Sequence, residues 1–369
     1  MELSLDYLTA SAQALLRQIV CIPSLSHQEE QVSKFISATL SAWGIEHNLC
    51  RNNIVAINRR YDPAKPTIAI DAHMDTVAAV PSYTRDPYDP GDDPETVYGL
   101  GSNDDGGCLV SVISTFRYFY DRELPVNLVM VLSTEEETSS PDGAEYVYGP
   151  DGPFAKGLFR GADPEWVIIC EPTQMRCATT ERGLLVIDAE AHGVSGHAAR
   201  NEGVNALYIA LEDIGRLRSY EFSRISPKTG KVKMTVTQIN AGTAHNVVPD
   251  SCRFVIDIRP TEAYRVREIV EELRGFCRSD LVPRSLQHES SATYEGSPLL
   301  GVVDALGIET FSSPTTSNWM ISRRESIKMG PGDSARSHKA DEYVKVSEIR
   351  SGIQGYINFI EKFNGNALE

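Results

Sequence analysis

Short apolar runs, each closed by polar or turn-forming residues, recur through the first half of the chain at Ile54–Ile57, Ile68–Ile70, Leu128–Leu132 and Val167–Ile169. Runs of this length predict strands buried on both faces. Residues 5–20 and 27–43 read as helices; in the second, Val32, Phe35, Ile36, Leu40 and Trp43 fall on one face at the 3.6-residue period. Between the second and third runs, "GGCLVSVISTFRYFYD" (106–121) has the length and pattern of a packed helix. Strand, helix, strand in that order predicts an α/β fold with a doubly wound mixed sheet.

The pattern changes after residue 180. "LLVIDAEAH" predicts a strand, "GVNALYIALEDIGRL" a helix, "KVKMTVTQI" and "RFVIDI" two alternating strands and "TEAYRVREIVEELRGF" a second helix. A last strand near 286–293 would complete a β-α-β-β-α-β (ferredoxin-like) unit. Beyond 295 come another helix, a glycine-rich stretch and a final helix with Val346, Ile349, Ile353, Ile357 and Ile360 at helical spacing. Both ends of the chain are therefore expected to build one domain, 1–180 with 295–369, around an inserted lid or dimerisation domain at 181–294. The insertion has an ordinary domain size.

At 369 residues the chain exceeds what one core usually supports, in line with two domains. The net charge of −16 argues against nucleic acid or an anionic membrane as partner, since both would be repelled. No apolar stretch reaches the ~18–20 residues of a membrane span. The N-terminal stretch has acids early and Arg17 late, the reverse of a secretory signal. The seven cysteines are scattered, with no C-x-x-C pair, which favours a reducing, cytoplasmic setting.

Candidate chemistry sits where the predicted strands end. His73 and Asp75 follow one, Glu135, Glu136 and Glu137 another, and Glu171 a third. In open α/β sheets the loops beyond the carboxyl ends converge on the ligand. Acids gathered there repel one another unless a cation neutralises them. The loop "YGLGSNDDGG" (98–107) echoes the dinucleotide fingerprint, but Asp104 stands in place of the third glycine and no good strand precedes Gly99. Its glycines read instead as a tight loop that delivers Asp104. One imidazole with mixed carboxylates suits zinc, cobalt or manganese. An open site of that kind acidifies water to a pKa of about 7 and polarises a carbonyl, so hydrolysis at a carbonyl is the expected reaction.

In order along the chain, "AHMDTV", "YGLGSNDDGG", "STEEET", "CEPT", "GVSGHAAR" and "GPGDSARSHKADEY" resemble the motifs of the co-catalytic zinc amidohydrolases. That family includes acetylornithine deacetylase, succinyl-diaminopimelate desuccinylase, aminoacylase and carboxypeptidase G. The resemblance implies two Zn2+ ions, replaceable by Co2+ or Mn2+, bridged by Asp104. His73 and Glu171 would complete one site, Glu136 and His338 the other. Asp75 would orient the His73 imidazole, and Glu135 would be the general base. A slip of one residue in "EEE" makes Glu136 the base and Glu137 the ligand; the first alignment is preferred because its pair directly follows "ST".

The same resemblance makes His197 a donor to the developing oxyanion, contributed across the interface of a homodimer. Arg182, Asn246 and Arg259 match positions that hold a substrate carboxylate or lie beside one, a task for which a guanidinium fork is suited. An intramolecular salt bridge is the alternative for Arg259. Gly330 and Gly332 would let backbone amides approach that carboxylate. His192 reads as structural, and His27, His47 and His288 as surface or packing residues. Leu100 and Gly106 stand where many relatives carry Arg and Lys, which weakens assignment to the desuccinylase branch. The implied substrate is a small N-acyl amino acid, foremost N-acetylornithine or its N-succinyl or citrulline analogue in arginine biosynthesis. A dipeptidase or carboxypeptidase is the alternative, and a non-enzymatic metal-binding protein is disfavoured by the unliganded base.

Overall fold

The computed structural model describes residues 3–200 and 202–364. The chain divides into a larger unit, up to residue 179 with 293–311 and 317 onward, and a smaller one, 180–292 with 312–316. Residues 312–316, expected with the catalytic ends, thus group with the insertion.

In the larger unit the four apolar runs become β1 (Asn53–Ile57), β2 (Thr67–His73), β3 (Asn127–Ser133) and β4 (Trp166–Ile169), with every residue buried. Burial on both faces is why these strands show no polar alternation. β2 lies parallel to β3 on one side and to β4 on the other. The strand Glu325–Lys328 continues the parallel set beyond β4, while β1 runs antiparallel along β3. Helices α1 (Leu5–Val20) and α3 (Gly107–Phe119) pack with the C-terminal helix Val346–Lys362, and α2 (Glu30–Ala42) packs on β1. Leu16, Val112, Phe116, Ile353 and Ile360 are fully enclosed in the resulting core. Because β2, β3 and β4 are parallel, their carboxyl ends open on one edge of the sheet. His73, the Glu135–Glu137 turn and Glu171 are brought together by that fact alone.

The smaller unit comprises β5 (Leu185–His192), α4 (Ala206–Ser219), β6 (Lys233–Ala241), β7 (Ser251–Arg259), α5 (Val266–Arg274) and β8 (Asp280–Pro283). Its antiparallel sheet has the order β6-β7-β5-β8. Leu185, Ile187, Ala189 and Ala191 alternate inward along β5, as a sheet with one covered face requires. The fourth strand lies at 280–283 rather than near 286–293. It buries a single apolar side chain, Leu281, too short a signal to stand out; Ser291 and Ala292 instead pair with Glu181 and Thr180.

All seven cysteines are free thiols. Among the described residues no helix is long and apolar enough to cross a membrane.

Two glycines test the packing. A Cβ on Gly352, in the C-terminal helix, would meet Pro331 Cγ at 2.6 Å and Ser111 Oγ at 2.9 Å, whereas one on Gly215, in α4, would meet nothing within 4 Å. Gly352→Ala should cost about 1–3 kcal/mol through overpacking. Gly215→Ala should gain about 0.5–1 kcal/mol in helix propensity. Thermal unfolding followed by circular dichroism checks both signs.

Candidate metal centre

His73 closes β2 and is 2% exposed. Its Nδ1 lies 3.0 Å from the Asp75 carbonyl oxygen and 3.3 Å from Asp75 Oδ1, and its backbone N–H donates to Asp105 Oδ2 at 3.2 Å. Its other ring nitrogen, Nε2, is 3.3 Å from Asp104 Oδ1 but makes no hydrogen bond. A buried nitrogen left without a partner is costly unless something else coordinates it. The surroundings supply the rest of a cation site. Single donor atoms of His73, Glu136 and Glu171 lie within 4.8 Å of one another, as do those of His73, Asp104 and Glu137. His338 Nε2 is 2.9 Å from Glu137 Oε2 and 3.7 Å from Asp104 Oδ2. The donor set is imidazole and carboxylate only, which fits zinc, cobalt or manganese.

The three consecutive glutamates lie as in the alternative alignment rather than the preferred one. Glu136, expected beside His338, groups with His73 and Glu171; Glu137 is the residue against His338 and Asp104. Glu135, expected to be the base, points elsewhere. Its Oε1 is 3.0 Å from His27 Nδ1, and its Oε2 accepts from the Asp142 N–H at 3.2 Å. The cause is where the chain turns. Glu135 adopts a left-handed conformation (φ 58°), with its N–H held by Glu29 Oε1. The two Asp75 oxygens each accept one N–H, from Glu136 and Glu137, both at 3.1 Å. The turn thus uses up Thr134 and Glu135, and the two acids after it face the centre.

The loop that brings in Asp104 needs its glycines. Gly99 (φ 111°) and Gly101 (φ 73°) adopt positive φ, and a Cβ on either would come within 2.4 Å of Val20 Cγ1 or Thr76 Cγ2 respectively. Two buried glutamates that brace the centre, Glu29 and Glu342, escaped the sequence reading. Glu342 Oε1 accepts from the N–H groups of Asn103 (2.9 Å) and Asp104 (2.8 Å), and Oε2 from Gly101 (3.1 Å). Its position four residues after His338, in the same motif, was the available signal. For Glu29 there was none. His27, read as a surface or packing residue, is exposed and pairs with Glu135.

Electrostatics describes a site short of positive charge. Burial, with the Asp104 charge adding to it and Lys328 opposing, pushes Glu171 up to about 8. Burial and then Glu171 push Glu136 well above the usual carboxylate range. Asp104 is held low: burial raises it, but the nearness of the His73 imidazole outweighs that. Burial works against the His73 proton, yet Asp104 and Asp75 keep it on, and Glu137 lifts His338 to about 9.

The expected substrate contacts are differently engaged. Gly330 donates its N–H to Thr173 Oγ1 at 3.0 Å, and a Cβ there would lie 2.6 Å from both Cys108 Sγ and the Glu171 carbonyl oxygen. Gly332 (φ 88°) packs against Asn103 in the same way. Close approach to the metal loops is what these glycines permit. In the smaller unit, Arg182 is buried and donates to the carbonyls of Lys231 (2.8 Å) and Thr229. Arg259 forks onto Asp257 at 2.9 and 3.0 Å, the intramolecular bridge that was its alternative. His197 and Asn246 are neighbours: His197 pairs with Val247, and the Asn246 carbonyl accepts from Ala198 N–H at 3.1 Å. Both side chains are exposed. His192 Nε2 is 3.0 Å from Asp280 Oδ2, a structural contact.

Comparison with known proteins gives two family matches. A model of the peptidase dimerisation domain matches residues 179–285, and one of peptidase family M28 matches residues 53–158. A putative LysW-lysine/LysW-ornithine hydrolase of Pyrobaculum aerophilum is 26% identical over 351 residues, spanning 91% of this chain and 92% of that one. An acetylornithine deacetylase of Buchnera aphidicola is 23% identical over 368 residues, spanning 91% and 92%. The Bacillus subtilis YXEP protein, a dinuclear metal binding peptidase from the M20 family, shares the fold with a TM-score of 0.72 at 16% identity, covering 96% of this chain and 98% of that one.

With Glu171 raised to about 8 and protonated below that, a cation entering the site must displace its proton. Zinc uptake should therefore release protons at pH 7 and tighten as pH rises toward about 8. Calorimetric titration in two buffers of different ionisation enthalpy measures the release directly.

Proposed function

The chain belongs to the M20 peptidase family, and we propose that it hydrolyses the amide bond of a small N-acyl amino acid at a pair of divalent cations. The observation that carries this reading is the enclosed His73 Nε2, without a hydrogen-bond partner and ringed by carboxylates. His73, Asp104 and Glu171 would hold one ion, and Asp104, Glu137 and His338 the other. Zinc is the proposed metal, with cobalt or manganese as substitutes. Such ions polarise a carbonyl and acidify water.

This chain's own residues do the rest. Asp75 engages Nδ1 of His73, which leaves Nε2 as the nitrogen that would coordinate once a cation displaces its proton. Glu136 is the general base: it takes the proton of the attacking water and passes it to the departing amine. Its raised proton affinity suits a carboxyl that must carry that proton between the two steps. His197, from a second copy of the chain in a homodimer, donates to the oxyanion of the tetrahedral intermediate. Asn246 beside it offers a donor for the substrate carboxylate. Arg182 and Arg259 have less to offer there, since their forks are engaged within the smaller unit.

The amino-acid half of the substrate is proposed to carry a cationic side chain, ornithine first, because the net charge of −16 favours it electrostatically. Two relatives named for ornithine derivatives support the same choice. Amine release from N-acetylornithine, N-succinylornithine, N-acetylcitrulline and a dipeptide panel tests it. Cleavage confined to dipeptides would move the assignment to a peptidase, and loss of all turnover with a chelator is required in either case.

Substitutions separate the acids. Glu136→Gln should lower kcat by about 10²–10⁴-fold, the usual worth of a general base, with metal content unchanged. Glu135→Gln should leave most of the rate. Equal losses in the two variants, measured at saturating substrate, would return the base assignment to Glu135.

A further inference from the structure

Asp104 sits on a loop in which three backbone N–H groups converge on one side chain from the far end of the sequence. Glu342 is 2% exposed, and its two oxygens receive the N–H groups of Gly101, Asn103 and Asp104 at 3.1, 2.9 and 2.8 Å. Its main-chain carbonyl takes a fourth, from Gly99 at 2.9 Å. The short ladder of Thr96–Tyr98 with Tyr343–Lys345 delivers it there. On the other side, Asn103 pairs by Oδ1 and Nδ2 with the backbone N–H and carbonyl of Asp333, at 2.9 and 3.1 Å. The segment that ends in Glu342 also carries His338, and Asp341 between them is anchored to Thr84 by two hydrogen bonds of 2.9 and 2.6 Å.

We propose that Glu342 is a positioning residue for the bridging carboxylate, setting the spacing of Asp104 from His338 and with it occupancy of the second cation position. The inference rests on the two-metal reading of the centre. Its physical basis is that a carboxylate can only accept. Three N–H groups that all point inward from one tight loop need an acceptor with two oxygens, and no neutral side chain supplies that. A glutamine keeps one oxygen, enough for Asn103 and Asp104, but sets an NH2 group against the Gly101 N–H. An alanine leaves all three donors unmatched. Asp104, having lost the bond at its own backbone N–H, is then free to shift away from Glu137 and His338. The side chain of Glu342 makes no contact with the reacting atoms in this scheme.

The test uses full-length protein stripped of metal and titrated with Co2+, followed by visible absorption and by elemental analysis of the protein reloaded with zinc. Wild type should take up two ions per chain. Glu342→Ala should hold the second ion roughly 10–100-fold more weakly, the usual cost of removing a group that orients metal ligands. Glu342→Gln should fall between the two, and its kcat should drop with KM nearly unchanged. Excess Co2+ should restore part of the kcat, which a purely structural lesion would not allow. Glu342→Gln, which keeps two of the three bonds, carries the test should Glu342→Ala fail to fold. Two ions bound with wild-type affinity by a folded Glu342 variant would overturn the inference alone. A wild-type protein that binds no second ion would overturn the two-metal reading and this inference with it.

Discussion

Mutual repulsion is the constraint around which the larger unit is organised. Asp104, Asp105, Glu136, Glu137 and Glu171 crowd one end of a parallel sheet with two imidazoles, His73 and His338, among them. Left to themselves these acids would separate or hold protons. Three of them are tied at the backbone by other carboxylates, Glu136 and Glu137 through Asp75 and Asp104 through Glu342, and Glu29 holds the adjoining Glu135 in the same way. Carboxylates thus orient carboxylates, through the N–H groups between them. The outer acids satisfy backbone donors, and the inner ones are left for a cation.

Such a scaffold explains why the chain has so little freedom near the centre. Gly99, Gly101, Gly330 and Gly332 are each hemmed in by atoms of adjoining loops or helices, which leaves almost no side-chain volume to give. In a close-packed interior a small displacement in one loop is passed to the next. The cost of assembling like charges is met by packing and backbone hydrogen bonds well away from the charges themselves.

Much of this was legible before the fold was known, for identifiable reasons. The strands β1 to β4 announce themselves as uninterrupted apolar runs, and the parallel order of β2, β3 and β4 makes the convergence of His73, the Glu135–Glu137 turn and Glu171 a matter of topology. The β-α-β-β-α-β unit could be read from alternation, except for β8, whose one inward residue, Leu281, is too little signal. The turn at Glu135 was not legible. Which of three identical residues faces inward depends on a left-handed φ and on Glu29, a partner 106 positions away. For Arg182 and Arg259 the sequence gives the fork but not the carbonyls or the carboxylate that it engages. Glu342 was hidden because its work is done on main-chain atoms, which leave no mark on the residues they belong to.

The candidate ligands and their braces are spread from Glu29 to Glu342, with the whole smaller unit translated between Glu171 and His338. Domains tend to fold in the order in which they leave the ribosome. The smaller unit, complete by residue 316, can acquire its structure while the centre still lacks a histidine and the clamp on its aspartate loop. A nascent chain can therefore complete the unit that matches the peptidase dimerisation domain while the cluster of acids and imidazoles is still unfinished, so that the smaller unit matures ahead of the candidate centre.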